Sequence, residues 1–256
     1  MKMRKMLVMG VLAGALSIFA ACGGGDDEQT LLVGAAMSLH DVNQEIQRAF
    51  NAAHDNITVE FTHASSGALQ TQIEEGADID VFMSAAMAQM RNLEEQGLIY
   101  GSSRNLVRNT VALVVPVGSN LGLTSFADLA NANVINVGVG DEAMPIGNFA
   151  REVFDSYGIL DIVNDKTVFA TDVAQIMMWV ETGEVDAGIV FGTNAIASEG
   201  VELIVIADAN RHAPSLNPVG IVADSGNISA AQTFVDFLFS NEAREIFESF
   251  GFAMYN

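Results

Sequence analysis

The chain has 256 residues, half of them apolar, with 32 acidic and 11 basic side chains and a net charge of −21. This composition is typical of a globular protein and excludes a disordered or collagen-like chain. The single cysteine excludes an internal disulfide and a zinc site built from cysteines.

Residues 1–21 predict a secretory signal peptide. Three basic residues precede an apolar run over residues 6–21, which is too short and too N-terminal for a membrane span. The segment Phe-Ala-Ala-Cys that ends at Cys22 resembles a bacterial lipobox, which makes Cys22 the expected lipidation site. Cleavage at an Ala-x-Ala site, with Cys22 incidental, is the alternative. Residues 22–28 predict a flexible linker, so we expect an exported protein, lipid-anchored on the outer face of the cytoplasmic membrane or periplasmic.

Signal cleavage would remove three basic residues and leave 8 basic against 32 acidic ones, a net charge of −24. A charge this negative argues against nucleic acid as a partner. The charge itself is explained by solubility or by a salty or acidic habitat, because net charge does not determine fold.

Strand and helix patterns alternate along the mature chain. Strands are predicted at 31–35, 57–62, 80–84, 110–115, 134–139, 167–170, 187–191, 201–206 and 217–222. Helices are predicted at 40–53, 66–75, 87–96, 125–130, 146–157, 172–182, 229–239 and 241–250. Asp172-x-x-Gln175 and Ser229-x-x-Gln232 resemble capping boxes.

This alternation predicts an α/β fold with parallel sheets covered by helices on both faces. The number of strands suggests two sheets and therefore two lobes. Boundary signals near 109–117 and 208–217 divide the mature chain into lobe one (29–110 plus 217–256) and lobe two (111–216). Two crossings between lobes make a hinge that encloses a cleft.

Four strand-to-helix junctions carry the candidate binding chemistry: they follow the strands near residues 35, 62, 139 and 170. Ligands of such sheets lie at these strand ends. Helix starts leave backbone N–H groups unpaired and carry the positive end of the helix dipole. Several of them around one cleft would hold an anion without a cationic side chain. Taken singly, a serine at a helix start is usually an N-cap, and it is the coincidence of four such junctions that favours binding.

Several motifs occur in the order found in one known family. They are Ala-Ala-Met-Ser-Leu at 35–39, Ala-Ser-Ser-Gly-Ala-Leu at 64–69, Asp-Val-Phe at 80–82, Pro-Ile-Gly at 145–147, Gly-Glu-Val-Asp-Ala-Gly-Ile-Val-Phe at 183–191 and Phe-Gly-Phe at 250–252. Over 31–252 the chain resembles the molybdate-binding proteins of ABC importers. The resemblance implies a two-lobed type II solute-binding fold, each lobe a mostly parallel sheet flanked by helices. It also implies a tetrahedral oxyanion such as molybdate or tungstate as the ligand, without direct protein–metal ligands or a further cofactor, and a membrane ABC permease as the partner of a monomeric receptor.

The resemblance also implies roles for five residues. Ser38 and Ser66 would provide hydroxyl and backbone donors from lobe one. Ile146 and Val173 would provide backbone N–H groups from lobe two. Phe191 stands where the family has a tyrosine whose hydroxyl donates to the oxyanion, and phenylalanine has no donor. Thr193 or a water could supply the missing hydrogen bond, or affinity and anion choice differ; a purely structural role for Phe191 is the alternative.

Two other classes of function stay open at this point. A binding protein for another oxyanion, such as sulfate or thiosulfate, would use the same fold, as would a surface protein without a transport role. We expect no catalysis, because the four histidines are scattered and no Ser-His-Asp arrangement stands out.

Overall fold

The computed structural model describes residues 28–142 and 144–255. The predicted signal peptide, Cys22 and all of the predicted linker except Glu28 lie outside the described residues. Within these two ranges, no helix is long and apolar enough to cross a bilayer.

The described ranges contain eleven strands and nine α-helices. The strands are β1 (Gln29–Ala36), β2 (Ile57–Ala64), β3 (Val81–Met83), β4 (Arg104–Asn109), β5 (Val111–Pro116), β6 (Val137–Gly140), β7 (Thr167–Ala170), β8 (Ala187–Phe191), β9 (Val201–Ile206), β10 (Ser215–Ile221) and β11 (Phe252–Met254). The helices are α1 (His40–Ala53), α2 (Ser66–Glu74), α3 (Met87–Glu95), α4 (Pro145–Ser156), α5 (Leu160–Asn164), α6 (Val173–Thr182), α7 (Gly192–Ala197), α8 (Ile228–Leu238) and α9 (Asn241–Ser249). Short 3₁₀ helices span Met37–Leu39 and Phe126–Ala130.

The strands form two separate sheets, as expected for a two-lobed α/β fold. The first sheet has six strands in the order β11-β4-β10-β3-β1-β2, and the second has five in the order β7-β6-β8-β5-β9. We call the six-stranded sheet with its helices lobe one and the five-stranded sheet with its helices lobe two. The chain passes between the sheets twice, once from β4 to β5 and once from β9 to β10.

Each sheet has a parallel half and an antiparallel half. In lobe one β2 and β3 pair parallel with β1, whereas β10, β4 and β11 continue the sheet in antiparallel pairs. In lobe two β7 and β8 pair parallel with β6, and β5 and β9 pair antiparallel. The expected parallel arrangement therefore holds for the strand–helix units. It does not extend to the crossing strands: β4 pairs antiparallel with β10 and β11, and β5 pairs antiparallel with β8 and β9.

Helices cover both faces of each sheet. In lobe one, α1, α8 and α9 pack on one face, and α2 and α3 pack on the other. Strand β3 alternates between these two cores, with Val81 and Met83 facing the first and Phe82 the second. In lobe two, α4 and α6 cover opposite faces in the same way. This layering confirms the predicted fold class and leaves the strand ends between the lobes free to form a site.

The structure differs from the predicted elements at a few places. Strands β4 and β11 and helices α5 and α7 were not predicted, and β6 begins three residues later than expected. The predicted capping box at Ser229 is wrong, because Asn227 is the N-cap and Ser229 lies inside α8. At α6 the expected cap is present, since the Asp172 carboxylate accepts a hydrogen bond from the Gln175 N–H at 2.7 Å.

Candidate functional site

A cavity of about 440 Å³ lies between the two lobes. Lobe one contributes the turn after β1, the segment after β3 and the ends of β4 and β10, whereas lobe two contributes the start of α4, the end of β8 and α7. The described residues that line it are Met37, Ser38, Asp41, Ala85, Asn109, Ser215, Asn217, Pro145, Phe191, Thr193, Asn194 and Ala197. Two of the four predicted strand-to-helix junctions, those after β1 and β6, thus contribute described residues to the cavity wall.

Ser38 lines the cavity from the 3₁₀ turn that connects β1 to α1. Leu39, the next residue, is buried in the lobe-one core and fixes the turn in place. Ser38 itself is exposed, and its hydroxyl has no hydrogen-bond partner among the described residues. The hydroxyl is thus free to donate to a ligand.

Ser66 reaches the cavity through a neighbour. Ser65 is the N-cap of α2, and its Oγ accepts a hydrogen bond from the Ala68 N–H at 3.2 Å. The Oγ of Ser66 accepts a hydrogen bond of 2.9 Å from the N–H of Ala85, a residue that lines the cavity. Capping and site formation are therefore divided between two adjacent serines, and the Ser66 O–H remains available as a donor.

Ile146 lies in the first turn of α4, directly after Pro145, which lines the cavity. Its side chain is fully buried in the lobe-two core, so only its backbone N–H can serve a ligand. Gly147 lets the start of α4 approach the end of β6 closely, because a Cβ there would overlap with the carbonyl oxygens of Gly140 and Asp141. The Pro-x-Gly motif thus allows the start of α4 to press against the end of β6.

Val173 and Phe191 occupy different environments in lobe two. Val173 is the first residue of α6; it is half-buried against the lobe-two core and is not among the described residues lining the cavity. Phe191 ends β8, lines the cavity and has its ring 6.4 Å from that of Phe149. Of the five predicted residues, the structure thus places Ser38 and Phe191 on the cavity wall, Ser66 and Ile146 directly behind it, and Val173 apart from it.

The cavity is polar but carries little charge. Asp41 is the one charged side chain among the described lining residues, and the His40 Nδ1 lies 2.8 Å from its carboxylate. The ring of His63 lies 4.8 Å from that of His40. Burial lowers the pKa of the His63 imidazole, the charge of His40 lowers it further, and Asp41 opposes both effects. An anion in this cavity would have to be held by neutral donors.

The sequence-based argument assigned no binding role to five polar lining residues: Asp41, Asn109, Asn194, Ser215 and Asn217. In the sequence, Asn109 and Asn217 stand out only as parts of the boundary signals between the lobes. The structure places Asn109 at the end of β4 and Asn217 at the third residue of β10, both near the crossings between the lobes. A polar residue that interrupts an apolar strand at such a place, as Asn217 does before Pro218, is the signal that could have found them.

Two contacts join the lobes beside the cavity. The Nδ2 of Asn109 donates a hydrogen bond of 3.1 Å to the Oγ1 of Thr193 on α7. A Cβ at Gly251 would lie 2.7 Å from the carbonyl carbon of Gly192, the first residue of α7. Gly251 has a φ of +85°, which favours glycine, and its carbonyl accepts a hydrogen bond from Thr110 Oγ1. The lobes therefore meet backbone to backbone next to the first crossing.

Within residues 28–142 and 144–255, no group of three or more His, Cys, Asp or Glu side chains is placed to hold a metal ion.

Comparisons with known proteins agree with this geometry. The family model for bacterial extracellular solute-binding proteins matches residues 31–253. YvgL of Bacillus subtilis, whose name marks it as a candidate ABC transporter substrate-binding lipoprotein, is 37% identical over 94% of this chain and 96% of its own length. The molybdate-binding protein ModA of Escherichia coli is 32% identical over 96% of this chain and 98% of its own.

A solved structure has the same architecture. The substrate-binding domain of a candidate molybdenum ABC transporter from Clostridium difficile superposes with a TM-score of 0.84. It is 31% identical and covers 89% of this chain and 100% of its own.

Proposed function

The chain belongs to the bacterial extracellular solute-binding protein family, and from that membership we propose that it captures molybdate or tungstate in the cleft between its lobes. The bound anion would then be delivered to the permease of an ABC importer. The relatives named for molybdate support the choice of ligand. These relatives are binding proteins, which supports a receptor without catalytic activity.

The observation that carries this proposal is a cavity between the lobes that has no Lys or Arg among its described lining residues. A dianion without protons needs only donors, and neutral N–H and O–H groups provide them. Hydrogen bonds to an ionised acceptor are about twice as strong as those between neutral groups. Helix starts add their dipoles, each contributing about 0.3–1 kcal/mol when exposed and more when water is excluded.

Five residues are proposed to hold the anion. The exposed hydroxyl of Ser38 and the O–H of Ser66 support donation from lobe one. The first-turn N–H groups of Ile146 and Val173 would donate from lobe two, as lobe closure brings the start of α6 towards the cavity. Phe191 would contact the anion through its ring edge without donating to it.

The two lobes would close about a hinge formed by the crossings near 109–117 and 208–217. The proposed division into 29–110 plus 217–256 and 111–216 is supported by the membership of β1–β4, β10 and β11 in one sheet and β5–β9 in the other.

We further propose that Cys22 is acylated and anchors a monomeric receptor to the outer face of the membrane. The lipoprotein name of YvgL supports this anchoring. About 0.8 kcal/mol per buried CH₂ accumulates along the acyl chains. Cys22→Ser should release the protein from the membrane fraction into the soluble fraction, and an unchanged membrane fraction would contradict the proposal.

Calorimetric titration of the purified protein with molybdate, tungstate, sulfate and phosphate tests the function. Molybdate or tungstate should bind more tightly than the other two, and either should raise the melting temperature, because saturation at 100 times the Kd contributes about 2.7 kcal/mol. Tighter binding of sulfate would indicate a receptor for a different oxyanion. Binding of none of the four would indicate a surface protein without this transport role.

A further inference from the structure

We propose that Asn217 is a further anion-binding residue of the cleft, whose side-chain amide donates to the bound oxyanion and restores the donor that Phe191 lacks. This inference rests on the proposed function and extends its binding site to a residue outside the five predicted ones.

The first observation is that Asn217 is buried and has no side-chain partner. It is 5% exposed and is one of four buried polar residues in the described chain. The other three, Asn43, Asp80 and Ser84, each have a side-chain contact to another polar group. For the Asn217 amide no hydrogen bond is found within the described residues. Among the described residues, its amide atoms are not part of the set of fully enclosed unpaired polar atoms, so they open on the cleft and are available to a ligand there.

The second observation is that Asn217 lines the cavity. Its small exposed surface therefore opens on the cleft. The wall around it is the part of lobe one that already holds a predicted ligand group. The next residue, Pro218, accepts a hydrogen bond of 3.0 Å from the Ser84 N–H, and Ala85, which follows Ser84, donates to Ser66.

The pairing of β10 with β4 is irregular beside Asn217. The pairing of β10 with β4 shifts register between Asn217 and Pro218, where Asn217 faces Val107 and Pro218 faces Asn105. The extra residue is Leu106 on β4, and bulges of this kind are often found next to functional sites. Proline contributes to this irregularity because it cannot donate to the neighbouring strand. Asn217, the third residue of β10, thus lies beside an irregular part of the ladder.

The chemistry of the amide fits a dianion. An asparagine side chain has two N–H donors and carries no charge, so it adds hydrogen bonds without changing the neutral donor set. Phe191, on the opposite lobe, lines the same cavity and has no donor. Asn217 can compensate for that loss from lobe one.

The test compares Asn217→Leu with the wild type by calorimetry and thermal unfolding. Leucine keeps the volume and removes the donor, so molybdate or tungstate affinity should fall about 10- to 100-fold, the value expected for losing a hydrogen bond to a charged group. The melting temperature of the anion-free protein should stay near the wild-type value, because the amide makes no hydrogen bond within the described residues and leucine fills a similar volume. A purely structural role would not lower affinity while preserving stability. Asn105→Leu on β4 is the matched control, because Asn105 does not line the cavity, and it should retain wild-type affinity.

A second variant and a direct measurement keep the proposal testable if Asn217→Leu fails to fold. Asn217→Asp keeps the shape but gives an acceptor-only anion, so its affinity should fall at least as far as that of Asn217→Leu. In the wild-type protein, the side-chain NH₂ resonances of Asn217 should shift on addition of molybdate or tungstate.

The outcomes separate the two proposals. Wild-type affinity in Asn217→Leu, or unshifted Asn217 resonances in a wild-type protein that does bind, would overturn the role of Asn217 alone. A wild-type protein that binds none of the oxyanions would overturn the proposed function itself.

Discussion

The Oγ of Ser66 and the backbone N–H of Ala85 are joined by a hydrogen bond of 2.9 Å that connects the start of α2 to the segment after β3. The adjacent Ser65 caps the same helix. The binding role proposed for Ser66 and the capping role of Ser65 can therefore be separated experimentally by changing one serine at a time.

Ser66→Ala should lower oxyanion affinity about 10- to 100-fold, because it removes a donor to a charged ligand. It should also cost about 1–3 kcal/mol of stability, since the Ala85 N–H loses its acceptor. Ser65→Ala is the matched control: it removes the cap and should cost about 1 kcal/mol of stability but leave affinity unchanged. Calorimetry and urea unfolding measure the two quantities. Equal affinities for the two variants would contradict a ligand role for Ser66.

Gly147→Ala should weaken both stability and binding. A Cβ at this position overlaps with the carbonyl oxygens of Gly140 and Asp141, so the start of α4 must move away from β6 and carry the Ile146 N–H with it. Gly67→Ala in the first turn of α2 is the control, because nothing lies within 4 Å of its Cβ. Melting temperature and anion affinity should fall for the first variant and stay near wild type for the second. A Gly147→Ala protein that binds normally would show that α4 tolerates displacement.

Phe191→Tyr should tighten molybdate binding. The ring already lines the cavity, and the added hydroxyl supplies the donor found at this position in the resembling family. Titration calorimetry of the two proteins gives the comparison. Equal or weaker affinity in the tyrosine variant would count against direct contact between residue 191 and the anion.

The stability of the protein should depend on pH through His63. Burial lowers the pKa of this imidazole in the folded state below its ordinary value. Between the two pKa values the unfolded chain binds a proton that the folded chain does not. The free energy of unfolding therefore falls as the pH drops through about 6.5 and levels off below the folded pKa. Urea unfolding of wild type and His63→Gln at about pH 7.5 and 5.5 should show a smaller loss in the variant; parallel losses would exclude His63 as the source.

Association of a dianion should become faster as salt is added. The whole chain carries a net charge of −21, and no Lys or Arg appears among the described residues lining the cavity. The Debye length, over which salt screens the repulsion between the protein and the dianion, is about 30 Å at 0.01 M ionic strength and about 8 Å at 0.15 M. Stopped-flow fluorescence of Trp179, the single tryptophan, can follow the rate. An association rate that falls with salt would reveal a positive local potential that steers the anion inward.

The sequence predicted those parts of the fold in which local pattern and tertiary role agree. Helix α1 has its apolar residues on one stripe, and its predicted bounds agree with the structure at both ends. The predicted bounds of β7, β8 and β9 also agree with the structure. Strand β4 was missed because arginine and asparagine at both of its ends hide the buried pair Leu106 and Val107. Strand β11, with three residues, and α7, which begins with glycine, are too short for a periodic signal and are held by contacts distant in sequence.

The candidate site was predictable to the extent that it consists of strand-to-helix junctions. Ser38 and Phe191 lie on the cavity wall, and Ser66 and Ile146 lie immediately behind it. Asn217 could not be found in this way, because its place in the cleft depends on the pairing of two strands more than 100 residues apart in sequence. Long-range pairing of this kind leaves no local pattern.

The position of β10 in its sheet determines when lobe one can be completed. This strand fills the gap between β3 and β4, yet the chain reaches it only after all the strands of the second sheet have been made. Until then β3 and β4 present open edges that are prone to pair with other chains. Lobe two is formed by the consecutive strands β5–β9, so its sheet can be completed as soon as β9 has been made. Before β10 is in place, the strand edges that could pair with other chains therefore lie mainly in the N-terminal half of the chain.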